Sequence, residues 1–272
     1  MASDTGKYDN VLFEEVAPHV VQITLNRPER MNAYNHGLCL DVFECLEAYE
    51  TNDDWRALIL TGAGRGFCSG GDIGSADGEH SAFMDRQLGH GREMIEGMQK
   101  VVLKLTRLDK PTIAAINGPA VAGGLALAFA CDFRIAGDGA KLGDTSGKIG
   151  LLPDEGGAWL FPHVMGYERA LKMTLLHQVY KAQEALSLGM VMEVIESEAL
   201  MHHTVRFAEG LAKSAPIAVR LAKQMMRRAA HITLEESQGD AALAVEIANP
   251  TQDVREGVKA FFEKRPPEFK GK

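Results

Sequence analysis

Residues 110–137 read KPTIAAINGPAVAGGLALAFACDFRIAG. Within them PTIAAING is a short apolar run bounded by turn residues, which predicts a buried strand. AGGLALAFACD continues as a helix of small residues, and FRIAG predicts a second strand. Strand, glycine turn, helix and strand in succession make a mixed α/β chain. The helix opens on Gly123-Gly124. The first N–H groups of a helix have no acceptor one turn earlier, and they favour negative charge. Glycine also lets a ligand approach the main chain closely.

Toward the N-terminus, VLFEEV and HVVQITLN predict two strands turned at Ala17-Pro18. HGLCLDVFECLEAYE has the helical spacing of Leu38, Val42, Phe43 and Leu46, and RALILTG is a buried strand. A second glycine-rich turn, GAGRGFCSGGDIG, follows it. Two such turns aimed at one point would hold an oxyanion. A long helix is expected from Ser81 to Leu108, with Met84, Leu88, Met94, Met98 and Leu105 as its core stripe. Beyond Gly156 the chain reads as helical apart from VMEVIE. The expected organisation is an α/β core over residues 1–190, carrying the site, and a helical region over residues 191–272.

Composition narrows the function. The 272 residues are 46% hydrophobic and 24% charged, which suits one large core. A formal net charge of −8 argues against a nucleic-acid partner. The four cysteines form no C-x-x-C pair and read as buried thiols in a reducing compartment. MASDTGKYDN lacks the apolar core of a signal peptide. No apolar run reaches the roughly 20 residues of a membrane span. A cytoplasmic protein without a membrane partner is expected. GAGRGF has Phe67 where a dinucleotide-binding turn needs its last glycine, and GDTSGKI is too short for a phosphate loop. No His/Cys pattern suggests zinc. Neither a metal nor a separate cofactor is expected.

Residues 147–166, GKIGLLPDEGGAWLFPHVMG, set Asp154 and Glu155 among Leu151, Leu152, Trp159, Leu160 and Phe161. Two readings apply. The acids cap a helix that starts at Gly156, a role worth about 0.5–2 kcal/mol. Alternatively, one of them is a base in apolar surroundings, its pKa raised by burial and lowered by the helix start.

LNRPERMNAYN, FCSGGDI, residues 110–137 and GLLPDEGGAWLFPHVMG, closing with EGVKAFFEKRPPEF, together resemble the enoyl-CoA hydratase/isomerase (crotonase) superfamily. The resemblance runs from Val11 to Phe269. It implies an α/β fold: a crotonase-like spiral of ββα units with a C-terminal helical trimerisation region, assembled as a homotrimer or a dimer of trimers. It implies an acyl-CoA thioester as substrate, coenzyme A being part of that substrate. The thioester oxygen would be held by the N–H groups of Gly71 and Gly123. Arg30 falls where a basic residue often meets the CoA phosphates. Asp72, Ile73 and Trp159 are expected among the substrate-binding residues, Asp72 also tying the Gly71 turn together. Phe262 and Lys264 match tail residues that approach the adenine end, often from a neighbouring subunit.

The superfamily's hydratases use two glutamates. Ala126 stands at one of those positions and Ser146 at the other. An aspartate at the position of Asp154 serves the superfamily's double-bond isomerases. One position later, Glu155 matches an aspartate of a C–C bond hydrolase. The resemblance therefore implies double-bond isomerisation of an enoyl-CoA through an oxyanion-stabilised enolate, with Asp154 carrying the proton. A hydratase with a displaced acid, Asp144 or Glu155, is an alternative. So are a C–C bond hydrolase and a non-catalytic CoA-binding trimer. Arg86, His90 and Glu93 are weaker candidates for substrate contact.

Overall fold

The computed structural model describes residues 7–74 and 90–272. Strands β1 (Val11–Ala17) and β2 (Val20–Leu25) pair antiparallel across a turn at which His19 takes a φ of 66°. Helix α1 (His36–Thr51) starts at Asn35, whose side chain accepts the Leu38 N–H at 2.9 Å. Its buried stripe is Leu38, Val42, Cys45, Leu46 and Tyr49, a spacing of three and four residues. Strand β3 (Ala57–Gly62) lies parallel to β2 and is buried along its whole length. A parallel strand covered on both faces requires that.

Helices α2 (His90–Glu96) and α3 (Met98–Arg107) stand where one long helix is expected. Gly97 separates them with φ −98° and ψ −118°, outside the helical region. The buried stripe of α3 is Met98, Val101, Val102 and Leu105. The expected start at Ser81, with Met84, Arg86 and Leu88, lies outside the described residues.

The chain then winds as a spiral. Strand β4 (Thr112–Ile116) pairs with β3, and β5 (Pro119–Val121) enters a second sheet before α4 (Gly123–Phe129). Strand β6 (Phe133–Gly137) returns beside β4, and β7 (Lys141–Gly143) pairs with β5. Helices α5 (Gly157–Met165) and α6 (Tyr167–Leu175) follow, then β8 (Val179–Lys181), α7 (Ala182–Ser187) and β9 (Glu193–Ile195). Last come α8 (Leu200–Ala212), α9 (Pro216–Ala229), α10 (Leu234–Ala248) and α11 (Gln252–Glu263). The large sheet has the order β1-β2-β3-β4-β6-β9 and the small one β5-β7-β8. From β4 onward each successive pair of strands lays one in each sheet, which is the ββα spiral expected from the resemblance.

The large sheet separates two apolar clusters. Leu58 and Leu60 face the side of α1, α3 and α4, while Ala57 and Ile59 face Leu200, Ala208 and Ala212 of α8. The alternation follows the two-residue period of a strand. Residues beyond 190 thus supply both an edge strand and one cover of the core. Helices α9 and α10 bury no residue, although Arg220–Asp109 at 2.7 Å and Lys223–Asp132 at 2.5 Å tie α9 to the core. Among the described residues no helix is long and apolar enough to cross a membrane. All four cysteines are buried and none forms a disulfide among the described residues. Burial pushes the thiols of Cys45, Cys68 and Cys131 up to about 12.

Candidate active site

The first glycine turn is held by a single bridging residue. Tyr34 N–H donates to the Gly70 carbonyl at 2.9 Å, and Asp72 N–H donates to the Tyr34 carbonyl at 2.9 Å. This is a one-residue parallel bridge, so the N–H of Gly71 points away from Tyr34. Gly70 makes the bend with a φ of 96°, where a side chain would be strained. Asp72 is 9% exposed. Its carboxylate pairs with Arg27 at 2.9 Å and accepts the Gly74 N–H at 3.0 Å. Asp72 therefore ties the turn together, and it also lines the cleft beside Gly71.

The second turn lies directly against the first. Ala122 N–H donates to the Gly143 carbonyl at 3.0 Å, with φ 51° and ψ −126°. Helix α4 begins at Gly123 with no side-chain cap. A Cβ at Gly124 would collide with the Cys68 carbonyl, so only glycine lets the helix sit so close. A Cβ at Gly70 would lie 3.0 Å from the Ala122 Cβ and 3.5 Å from the Gly123 nitrogen. Among the described residues neither the Gly71 nor the Gly123 N–H is paired with an acceptor of the protein. The two turns converge, as the sequence pattern predicts.

Asp154 and Glu155 arrive together beside this point and then part. Helix α5 is entered through Gly156, which occupies the N-cap with φ 109° and no side-chain hydrogen bond. Neither acid is a helix cap, so that reading is set aside. Asp154 is exposed on the cleft wall, and its carbonyl accepts the Gln99 Nε2–H at 2.8 Å. Glu155 is 5% exposed. The Tyr34 hydroxyl donates to its Oε1 in a very short hydrogen bond, and its buried Oε2 has no partner among the described residues. Desolvation pushes the Glu155 carboxyl up to about 7, against the opposing effect of the Tyr34 hydrogen bond. Burial and the nearby Glu155 hold the Tyr34 phenol well above its usual range. A Cβ on Gly123 would come within 2.5 Å of Glu155 Oε1 and 2.7 Å of Tyr34 Cε1.

These parts border one cleft of about 450 Å³. Gly71, Ile73, Arg30, Asp154 and Glu155 all line it, with Ala122 carrying the Gly123 turn to its wall. The sequence reading missed Lys148 at the mouth and Tyr34 beneath the floor. Lys148 could have been found as a cation in the loop before the acids. Tyr34 lay within a quoted motif, but nothing in that motif marks its partner. Ser146 lines the cleft, while Ala126 is fully buried inside α4. Asp144 is fully buried; its Oδ1 accepts the Ser146 N–H at 3.0 Å, and it does not reach the lining. Trp159 is placed elsewhere. It stacks on His163 at 3.7 Å and opens onto a neighbouring cavity of about 610 Å³, with Val102, Leu103, Leu160 and His231. Phe262 and Lys264 lie exposed at the end of α11 and do not line the cleft within one chain. Among the described residues no group of three His, Cys, Asp or Glu side chains comes together as a metal site.

A family model described as enoyl-CoA hydratase/isomerase matches residues 15–272. The 1,2-epoxyphenylacetyl-CoA isomerase of Escherichia coli K12 is 37% identical, over 96% of this chain and 98% of its own. The (E)-benzylidenesuccinyl-CoA hydratase of Thauera aromatica is 36% identical, over 94% of this chain and 98% of its own. The crystal structure of an enoyl-CoA hydratase from Bacillus anthracis superposes with a TM-score of 0.91 at 34% identity, covering 97% of this chain and all of that one.

Proposed function

This chain belongs to the enoyl-CoA hydratase/isomerase family, has its crotonase fold, and is an enzyme of that family; from that premise we propose that it isomerises the double bond of an enoyl-CoA. The observation that carries this reading is the placement of two unpaired main-chain N–H groups, on abutting turns, in one cleft with the exposed Asp154 carboxylate. In a 3-enoyl-CoA the Asp154 carboxylate removes a C2 proton. The electron pair moves into the thioester carbonyl, and the dienolate oxygen is held by Gly71 and Gly123. Asp154 then returns the proton to C4, which leaves the double bond conjugated between C2 and C3. One base on one face suffices. Each amide donor is worth about 2.7–4 kcal/mol at the transition state, by analogy with oxyanion holes elsewhere. Arg30 and Lys148 at the mouth suit the CoA phosphates. The cavity beside Trp159, with Val102, Leu103 and Leu160, suits the far end of an acyl chain.

The test is to supply a 3-enoyl-CoA and follow conjugation by absorbance. Asp154→Ala is expected to lose about 10²–10⁴-fold in rate, the usual contribution of a general base. Equal rates in both proteins would remove the assignment. A second reading is favoured by Glu155: a second carboxyl, with a pKa of about 7, in the same cleft is what a hydratase with a displaced acid would use. Hydration of crotonyl-CoA that is lost in Glu155→Gln but kept in Asp154→Ala would establish it.

The same proposal extends to assembly. Helices α9 and α10 bury nothing in a single chain, and Leu243, Ile247, Val258, Phe261 and Phe262 are exposed on α10 and α11. Such a surface suits a homotrimer, or a dimer of trimers, in which a neighbour's Phe262 and Lys264 approach the cleft. Sedimentation of a monomer at micromolar concentration would end that part of the proposal.

A further inference from the structure

Tyr34 touches both glycine turns and Glu155. Its main chain pairs with Gly70 and Asp72 and so sets the first amide. Its ring packs against Gly123 closely enough to exclude a Cβ there. Its hydroxyl holds Glu155, 121 residues away. The ring is 4% exposed, and no solvent competes for these contacts.

The placement of Glu155 poses an electrostatic problem. Its Oε1 lies against Gly123, the first residue of a helix whose N–H is unpaired. A carboxylate oxygen beside an unpaired main-chain N–H is a strong acceptor for it. If Glu155 moved onto that N–H, it would fill the place meant for the substrate oxygen. We propose that Tyr34 is a positioning residue which, by holding Oε1, keeps Glu155 off the Gly123 amide and leaves the oxygen-binding site vacant. This rests on the reading of Gly71 and Gly123 as the holders of the thioester oxygen. The titratable groups around the pair are Asp154, Cys68 and Cys39. The thiol of Cys68 stays neutral at about 12, so Asp154 is the neighbouring charge that matters. It faces Glu155 closely enough to act on it both through charge and through a side-chain hydrogen bond, and both raise the Glu155 pKa.

The proposal is tested with butyryl-CoA, a saturated thioester that occupies the site without reacting. Calorimetric titrations are run at about pH 5.5 and about pH 9.5, on either side of a Glu155 pKa that loss of the Tyr34 hydrogen bond raises above about 7. Tyr34→Phe is expected to bind like wild type at the lower pH, where Glu155 is neutral. At the higher pH it binds about tenfold more weakly, the loss of one good hydrogen bond to the substrate oxygen. Adding Glu155→Gln to Tyr34→Phe restores wild-type affinity, and a crystal of Tyr34→Phe at the higher pH shows Glu155 on the Gly123 N–H. Equal weakening at both pH values with no rescue by Glu155→Gln would make Tyr34 merely structural and overturn the proposal. So would unchanged binding at the higher pH. Failure of the wild type to bind butyryl-CoA would instead remove the acyl-CoA reading on which it stands.

Discussion

The floor of the cleft and its rim are built from neighbouring residues and behave as different solvents. On the floor, Tyr34, Glu155 and Ser146 are buried at 4–5% exposure, and Gly123 and Gly124 are packed so closely that a Cβ on either would collide with protein atoms. On the rim, Asp154, Arg30, Lys148 and Ile73 are exposed. Asp154 and Glu155 are adjacent in sequence, yet Asp154 is exposed and Glu155 is buried, and desolvation drives the Glu155 carboxyl up to about 7. The contrast assigns work by accessibility. A rim acid can meet a bound substrate and exchange protons with it, whereas a floor acid shapes the field in which that exchange occurs.

The sharpest way to break this contrast is at the rim. Asp154→Asn should cut kcat/KM by about 10²–10⁴-fold, while chemical denaturation shows stability changed by less than about 0.5 kcal/mol. A large stability loss would mean that Asp154 belongs to the floor. Gly124→Ala on the floor should do the reverse first. Its methyl meets the Cys68 carbonyl, so unfolding free energy should fall by about 1–3 kcal/mol or more. Glu155→Gln sharpens the electrostatic side. The folded pKa of Glu155 lies above its unfolded value near 4.5, so the native state holds the proton more tightly. Stability from this group therefore falls as pH rises from about 4.5 through about 7, and levels off above. The glutamine variant lacks that fall and should gain about 1–3 kcal/mol relative to wild type by pH 8, read as urea midpoints across pH. The smallest effects belong to Arg30→Ala and Lys148→Ala. Each should raise KM for an acyl-CoA by about three- to tenfold at low salt, and the difference should shrink in about 0.5 M salt as screening grows.

Much of this was legible in the sequence because the signals are local. The strand-turn-helix of residues 110–137 carries its own periodicity and punctuation, and both glycine turns announced themselves. Strands β5, β7 and β8 were not legible, since three residues are too few to show alternation. The break at Gly97 was missed because the apolar stripe continues across it. The helix start at Gly156 was read one step early. Ser, Thr, Asp and Asn are the usual caps, and an acidic pair before a helix looks like one. The partition of Asp154 and Glu155 between rim and floor was beyond reach for a different reason. It depends on Tyr34, which is distant in sequence and recognisable only as an ordinary buried aromatic. The second core cover by α8 was hidden in a region whose pattern resembles that of the unpacked helices after it.

In the proposed reaction the substrate's oxygen is received by the amides of Gly71 and Gly123, and an amide survives any substitution except proline. Point changes at positions 126, 146, 154 or 155 can therefore rewrite which bond is made or broken while the grip on the carbonyl persists. Heredity can try new reactions on this scaffold one codon at a time, without first surrendering the ability to stabilise an enolate.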